Sequence, residues 1–223
     1  MKKNAITRDS LLRDDVGQWK QKYGAALDVI SPWELEDYQR SMMESAPDLS
    51  DIWVFAYGSL LWNPAINFVE QRVGTVYGYH RSFCLQSVVS RGTKSQPGLM
   101  LGLQPGGACR SPAYRIDVNE VTTELTLLFR REMMTNVYRP AWLRMHTAER
   151  TIPVLAFVMN PHHSLYLKHL TDTERSQIIA TARGSLGRCS EYLFQTVTSL
   201  RSFGIRDRGL ESLAQRVESL IQE

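Results

Sequence analysis

The sequence lacks any stretch approaching the roughly 18 apolar residues that a membrane-spanning helix needs. Its first residues, Met1 to Arg13, are charged where an export signal would carry an apolar centre. A soluble, unexported, cytoplasmic protein with no membrane partner is the expectation. Cysteine is scarce: Cys84, Cys109 and Cys189 are odd in number, widely spaced and form no CxxC pair, which argues against a disulfide framework and a zinc knuckle. Neither sign of charge dominates. The formal net charge is +3, and Lys and Arg are interspersed with Asp and Glu, so no basic tract marks the chain for nucleic acid. The five histidines include no HExxH spacing, and no P-loop, GxGxxG or GxSxG stands in a supporting context, which leaves metal, dinucleotide, kinase and serine-hydrolase readings without a carrier. Internal repeats and low-complexity tracts are absent as well.

What is present suffices for one full-sized core: 223 residues, 43% of them hydrophobic. Residues 1–50 are polar and read as a mostly helical extension. Ser31-Pro32-Trp33-Glu34 sets a capping hydroxyl, a first-turn proline and a capping-box glutamate in order. Pro47 and its acidic neighbours end that helix before the strand-like run Ile52 to Tyr57, and a catalytic domain over 51–223 is expected to begin there. From Gln71 to Arg115 the text suggests several short strands with Gly74, Gly78, Gly92, Gly98 and Gly106-Gly107 as turns, hence a barrel or a tightly curved sheet. A helix is expected from about Asn119 to Met133, then strands over Val137 to Met145 and Thr151 to Met159. Helices follow after the capping box Thr171-Asp172-Thr173-Glu174, over Ser190 to Phe203, and from about Arg208 to Ile221. Strands first and helices mostly later, without βαβ alternation, indicate an α+β fold.

Two places could carry chemistry. In Val54-Phe55-Ala56-Tyr57-Gly58-Ser59-Leu60-Leu61-Trp62 a strand runs into a turn where Gly58 removes side-chain bulk and lets backbone N–H groups face an anion. The same residues would also make an ordinary strand end. The second place is Glu132, whose i−4 and i−3 neighbours are Leu128 and Phe129, a carboxylate on an apolar stripe. Facing inward, it would be desolvated, acquire a raised pKa and serve as a general base; at the stripe's edge, it would pair with Arg130, Arg131 or solvent. Glu120 and Glu124 are assigned to the helix's first turn and polar face, where acids serve the helix dipole.

The run Trp53 to Trp62 resembles the WVFGYGSLIW signature of the ChaC-type γ-glutamylcyclotransferases. The resemblance continues in family order through Arg81-Ser82-Phe83, Arg91-Gly92, Pro97-Gly98, Ala113-Tyr114-Arg115, Phe129-Arg130-Arg131-Glu132 and Glu191-Tyr192-Leu193. Ala56 stands where that family usually has glycine, and Met133 to Val137 intervenes before Tyr138 where relatives have a shorter, glycine-bearing link. The resemblance implies a compact mixed β-barrel with surrounding helices and the cofactor-free conversion of glutathione to 5-oxoproline and cysteinylglycine. It implies Glu132 as the catalytic carboxylate, and Val54, Phe55, Ala56, Tyr57, Gly58, Ser59 and Leu60 as the substrate-binding loop. Arg81, Arg115 and Tyr192 match positions near the pocket. A non-catalytic regulator of a cation transporter would not need Glu132, and a cyclotransferase acting on other γ-glutamyl-amino acids or γ-glutamylamines would use the same loop.

Overall fold

A computed structural model describes residues 6–13, 27 and 29–222. The expected helical character of 1–50 therefore lies in part outside the described residues. Within them are two helices, α1 (Arg8–Leu12) and α2 (Pro32–Glu44), the second opened by the Ser31/Glu34 capping box. Strand β1 (Trp53–Phe55) then leads into a 3-10 turn at Ser59–Leu61. It is followed by β2 (Glu70–Ser87), β3 (Gly98–Arg115), helix α3 (Val121–Glu132), β4 (Tyr138–Thr147) and β5 (Thr151–Met159). The five strands close a barrel in the order β1-β3-β2-β4-β5, sealed by parallel contacts of β5 with β1 and β3. Helix α4 (Asp172–Thr181), a two-stranded arm β6 (Arg183–Gly184) and β7 (Gly187–Arg188), α5 (Cys189–Ser202) and α6 (Arg208–Gln222) complete the chain. The fold is α+β, as expected.

One expectation is corrected. Gln71 to Arg115 is not a series of short strands but a single hairpin of two 18-residue strands. Gly78, with φ +84°, sits inside β2 where the pairing with β3 slips between Tyr77 and Tyr79, and Gly106 and Gly107 take positive φ in the facing part of β3. These glycines make a bulge, which bends strands without ending them.

The barrel's core includes Trp53, Phe55, Phe83 and Phe157, all at most 1% exposed and distributed over both faces of its strands. Helix α3 covers it with Leu125, Leu128 and Phe129, and the ring of Phe129 meets that of Phe157 edge-on at 5.6 Å. One turn beyond Leu128 and Phe129, the same stripe carries Glu132 to the barrel.

Glu124 is also corrected. It is not on a polar face: its side chain is fully buried, accepts both terminal nitrogens of Arg8 at 2.5 Å each, and accepts the Asn67 N–H at 2.9 Å. A buried carboxylate needs such satisfaction, so it ties α1 to α3 and to the segment after the 3-10 turn. The Leu11 side chain is buried as well. Further ties run from Arg130 to the Leu11 carbonyl (2.9 Å), from Asn63 to the Ile6 carbonyl (2.8 Å), and from the Ile30 N–H to the Met134 carbonyl (3.2 Å). Residues 6–13 and 29–30 thus form a strap along α3, from Glu124 in its first turn to Arg130 and Met134 at its C-terminal end.

Candidate active site

A cavity of about 760 Å³ opens beside the end of α3, and a chamber of about 20 Å³ lies against the barrel interior. Ser59, Met100, Glu132, Tyr138 and Tyr192 line both, so Glu132 stands where the two meet. Its side chain is 14% exposed, which leaves the carboxylate reachable yet mostly stripped of water. Burial raises its pKa, while the guanidinium of Arg131, with Nε 3.0 Å from Oε1, works against that rise. Both sequence readings of Glu132 therefore hold at once: it faces inward and it is paired.

Arg131, which the sequence offered only as one possible partner of Glu132, also holds the loop beside it. Its side chain is 4% exposed, and it donates to the Asn63 and Pro64 carbonyls and to the Ser59 hydroxyl at 3.0 Å. One cation thus joins the acid to the glycine turn. The adjacency of Arg131 and Glu132 was visible in the sequence, but the loop atoms that hold it are 67 to 72 positions away.

The turn itself is shaped for an anion. In the 3-10 turn Leu61 N–H donates to the Gly58 carbonyl, but among the described residues no acceptor takes the N–H groups of Gly58, Ser59 or Leu60. Successive unpaired donors at the start of a helical turn are groups that can receive an anion. Gly58 is required by close approach: a Cβ there would lie 3.0 Å from the Tyr192 hydroxyl. Tyr192 cannot easily yield, since its ring meets Trp62 edge-on at 5.2 Å and Phe83 at 5.7 Å, with the Arg91 guanidinium 5.4 Å from its centroid. Burial pushes the pKa values of Tyr57, Tyr138 and Tyr192 up, and the Glu132 charge adds to each shift, so all three phenols stay protonated. The Tyr57 hydroxyl donates to the Phe157 carbonyl (2.7 Å) and that of Tyr138 to the Leu101 carbonyl (2.8 Å).

The structure brings together Glu132, Tyr57, Gly58, Ser59, Leu60 and Tyr192 of the expected site residues. Val54, Phe55 and Ala56 are fully buried in and just after β1 and line neither space; they hold the turn in place from behind. Arg81 and Arg115 are not brought to the cavity. Arg81 is directed to the Cys109 thiol, the Arg110 carbonyl and Asp207, while Arg115 pairs with Glu70 at 2.9 Å. Among the described residues, the cations lining the cavity with Arg131 are Arg91 and Arg183, and burial lowers the pKa of Arg91. No cysteine lines it. All three are buried, and burial pushes the thiol of Cys84 up to about 12 and that of Cys189 to about 11.

Among the described residues no three His, Cys, Asp or Glu side chains converge as metal ligands, and no helix is long and apolar enough to cross a membrane. A family model described as ChaC-like protein matches residues 52–220. The chain is 38% identical over 222 residues to the glutathione-specific gamma-glutamylcyclotransferase of Escherichia coli (strain K12), covering 98% of this chain and 94% of that one. It is 29% identical over 181 residues to glutathione-specific gamma-glutamylcyclotransferase 1 of Rattus norvegicus, covering 78% of this chain and 82% of that one. The crystal structure of a glutathione-specific γ-glutamyl cyclotransferase from yeast superposes with a TM-score of 0.70 at 19% identity, over 76% of this chain and 96% of that one, a likeness of fold.

Proposed function

We propose that this chain, which belongs to the ChaC-like protein family, is a glutathione-specific γ-glutamylcyclotransferase that works in the cytoplasm and releases 5-oxoproline and cysteinylglycine. The observation that carries the reading is a single desolvated carboxylate, Glu132, set at the junction of a roomy cavity and a narrow chamber whose lining also includes the Gly58–Leu60 turn with its three unpaired backbone N–H groups. Residues 51–223 form the catalytic domain in this reading, and residues 1–50 are an extension of it.

The reaction needs little more. Nucleophile and electrophile lie in one substrate: the α-amine of the γ-glutamyl group attacks its own γ-carbonyl, closing a five-membered lactam as the bond to the cysteinyl nitrogen breaks. The protein must fold the substrate back on itself, remove a proton from an ammonium group, and stabilise the developing oxyanion. Glu132 takes the α-ammonium proton and returns one to the departing nitrogen. Its burial-raised pKa narrows the gap between acceptor and donor, and Arg131 keeps it ionised until the proton arrives. The N–H groups of Gly58, Ser59 and Leu60 hold the γ-glutamyl carboxylate or the oxyanion. Tyr57 and Tyr138 bring hydroxyl oxygens whose protons are already donated to carbonyls, while Arg91 offers a cation to a substrate carboxylate.

Incubating the purified chain with glutathione, without added metal, and measuring 5-oxoproline tests the reading. Stoichiometric 5-oxoproline and cysteinylglycine are expected. A protein that binds glutathione without forming either would be a binding module, and the reading would fail.

A further inference from the structure

The family match begins at residue 52, yet the wall of the large cavity includes Ile6, Thr7 and Leu27. None of these touches the inner chamber, where Glu132 and the Gly58 turn meet. Whatever differs between one γ-glutamyl compound and another lies beyond the scissile bond, so it must occupy the outer space. An extended dipeptide reaches roughly 7 Å from that bond, far enough to leave the chamber.

The strap is fixed over that space. The Ile6 carbonyl accepts from Asn63, whose own carbonyl accepts from Arg131, the partner of Glu132. The bidentate Arg8 contact to the fully buried Glu124 and the Arg130 contact to the Leu11 carbonyl hold the strap from two sides. Its chemistry at the cavity is plain. Ile6 and Leu27 present carbon, and the Thr7 hydroxyl is committed as a helix cap to the Ser10 N–H at 3.1 Å. Among the described residues the strap brings no charged side chain to the cavity, so this surface selects by fit and contact area.

We propose that the N-terminal strap is the wall that receives the cysteinylglycine half of glutathione, with Ile6 a specificity-determining residue; this rests on the reading of the site as a glutathione cyclotransferase. The test uses the full chain and two variants, Ile6→Ala and Ile6→Trp, with glutathione and γ-glutamyl-alanine as paired substrates. Ile6 is only partly buried, and its backbone anchor to Asn63 survives both changes. Ile6→Ala is expected to lower kcat/KM for glutathione roughly ten-fold, in keeping with the loss of a few carbons from an apolar pocket. γ-Glutamyl-alanine, whose leaving group is one residue shorter, is expected to lose less, so the ratio between the two substrates falls. Ile6→Trp is expected to exclude glutathione more than γ-glutamyl-alanine. If both substrates fall by the same factor in either variant, or neither changes, the strap is structural and the proposal is wrong, whereas a wild-type chain inactive on glutathione removes the parent reading with it.

Discussion

Glutamine at position 132 preserves the shape of the acid and removes its proton chemistry. Its amide oxygen can still accept from Arg131 Nε, placed 3.0 Å from the native carboxylate, and its volume fits the same junction of cavity and chamber. The fold should therefore persist, with a melting temperature close to wild type. Removal of a positioned general base lowers rates by ~10² to 10⁴, which corresponds to about 3 to 5 kcal/mol of barrier. The loss should appear in kcat, because the groups that bind the substrate are untouched. The pH dependence sharpens the test. Burial raises the pKa of Glu132 above the ordinary glutamate value of about 4.3, and the base works only when ionised. Activity in the wild type should accordingly fall as pH drops through that raised value. The residual activity of Glu132→Gln should lack this acid limb. 5-Oxoproline formation measured by chromatography across pH, beside a thermal melt, reads all three quantities. A folded Glu132→Gln within ten-fold of wild type, or one retaining the acid limb, would refute the assignment.

Replacing Arg131 by methionine removes the charge that opposes the burial of Glu132, so the acid limb of the pH profile should move to higher pH; an unmoved limb counts against their coupling. Gly58→Ala sets a Cβ 3.0 Å from the Tyr192 hydroxyl and should reduce kcat/KM at least roughly ten-fold while costing about 1 to 3 kcal/mol of stability, readable by a denaturant titration. Arg8→Ala strands the fully buried Glu124 carboxylate. Arg8 is itself a quarter exposed, which sets the expected loss near ~3 kcal/mol, or about 6 to 12 °C in Tm. A change under about 2 °C in a thermal melt would mean that Glu124 is satisfied without Arg8.

The parts of the site that the sequence made legible are those written locally. The stripe Leu128, Phe129, Glu132 follows from helical spacing, and the unpaired N–H groups after Gly58 follow from a strand running into a glycine turn. The long β2–β3 hairpin was hidden because its glycines resemble punctuation, and only the register slip at Tyr77 and Tyr79 reveals them as a bulge. Glu124 looked solvated because its position in the first turn of α3 is where helices normally hold acids. Its partner Arg8 is 116 residues earlier, in a segment with no local signal of docking. Arg81 and Arg115 resembled pocket residues in motif order, but motif order does not say how far along a strand a side chain lies from the site. Each guanidinium is instead turned toward an acid, Asp207 or Glu70, beyond the cavity wall.

The suppressed acidity of the three cysteines has a consequence for an enzyme handling glutathione. Substrate and released dipeptide each carry a free sulfhydryl, and their oxidised forms would trap any protein thiolate within reach as a mixed disulfide. Cys84, Cys109 and Cys189 are buried, line no part of the cavity and have their thiol pKa values raised by burial, so none presents a ready thiolate to that exchange. The catalyst's turnover can then follow the supply of reduced tripeptide without being throttled by the redox chemistry of what it consumes.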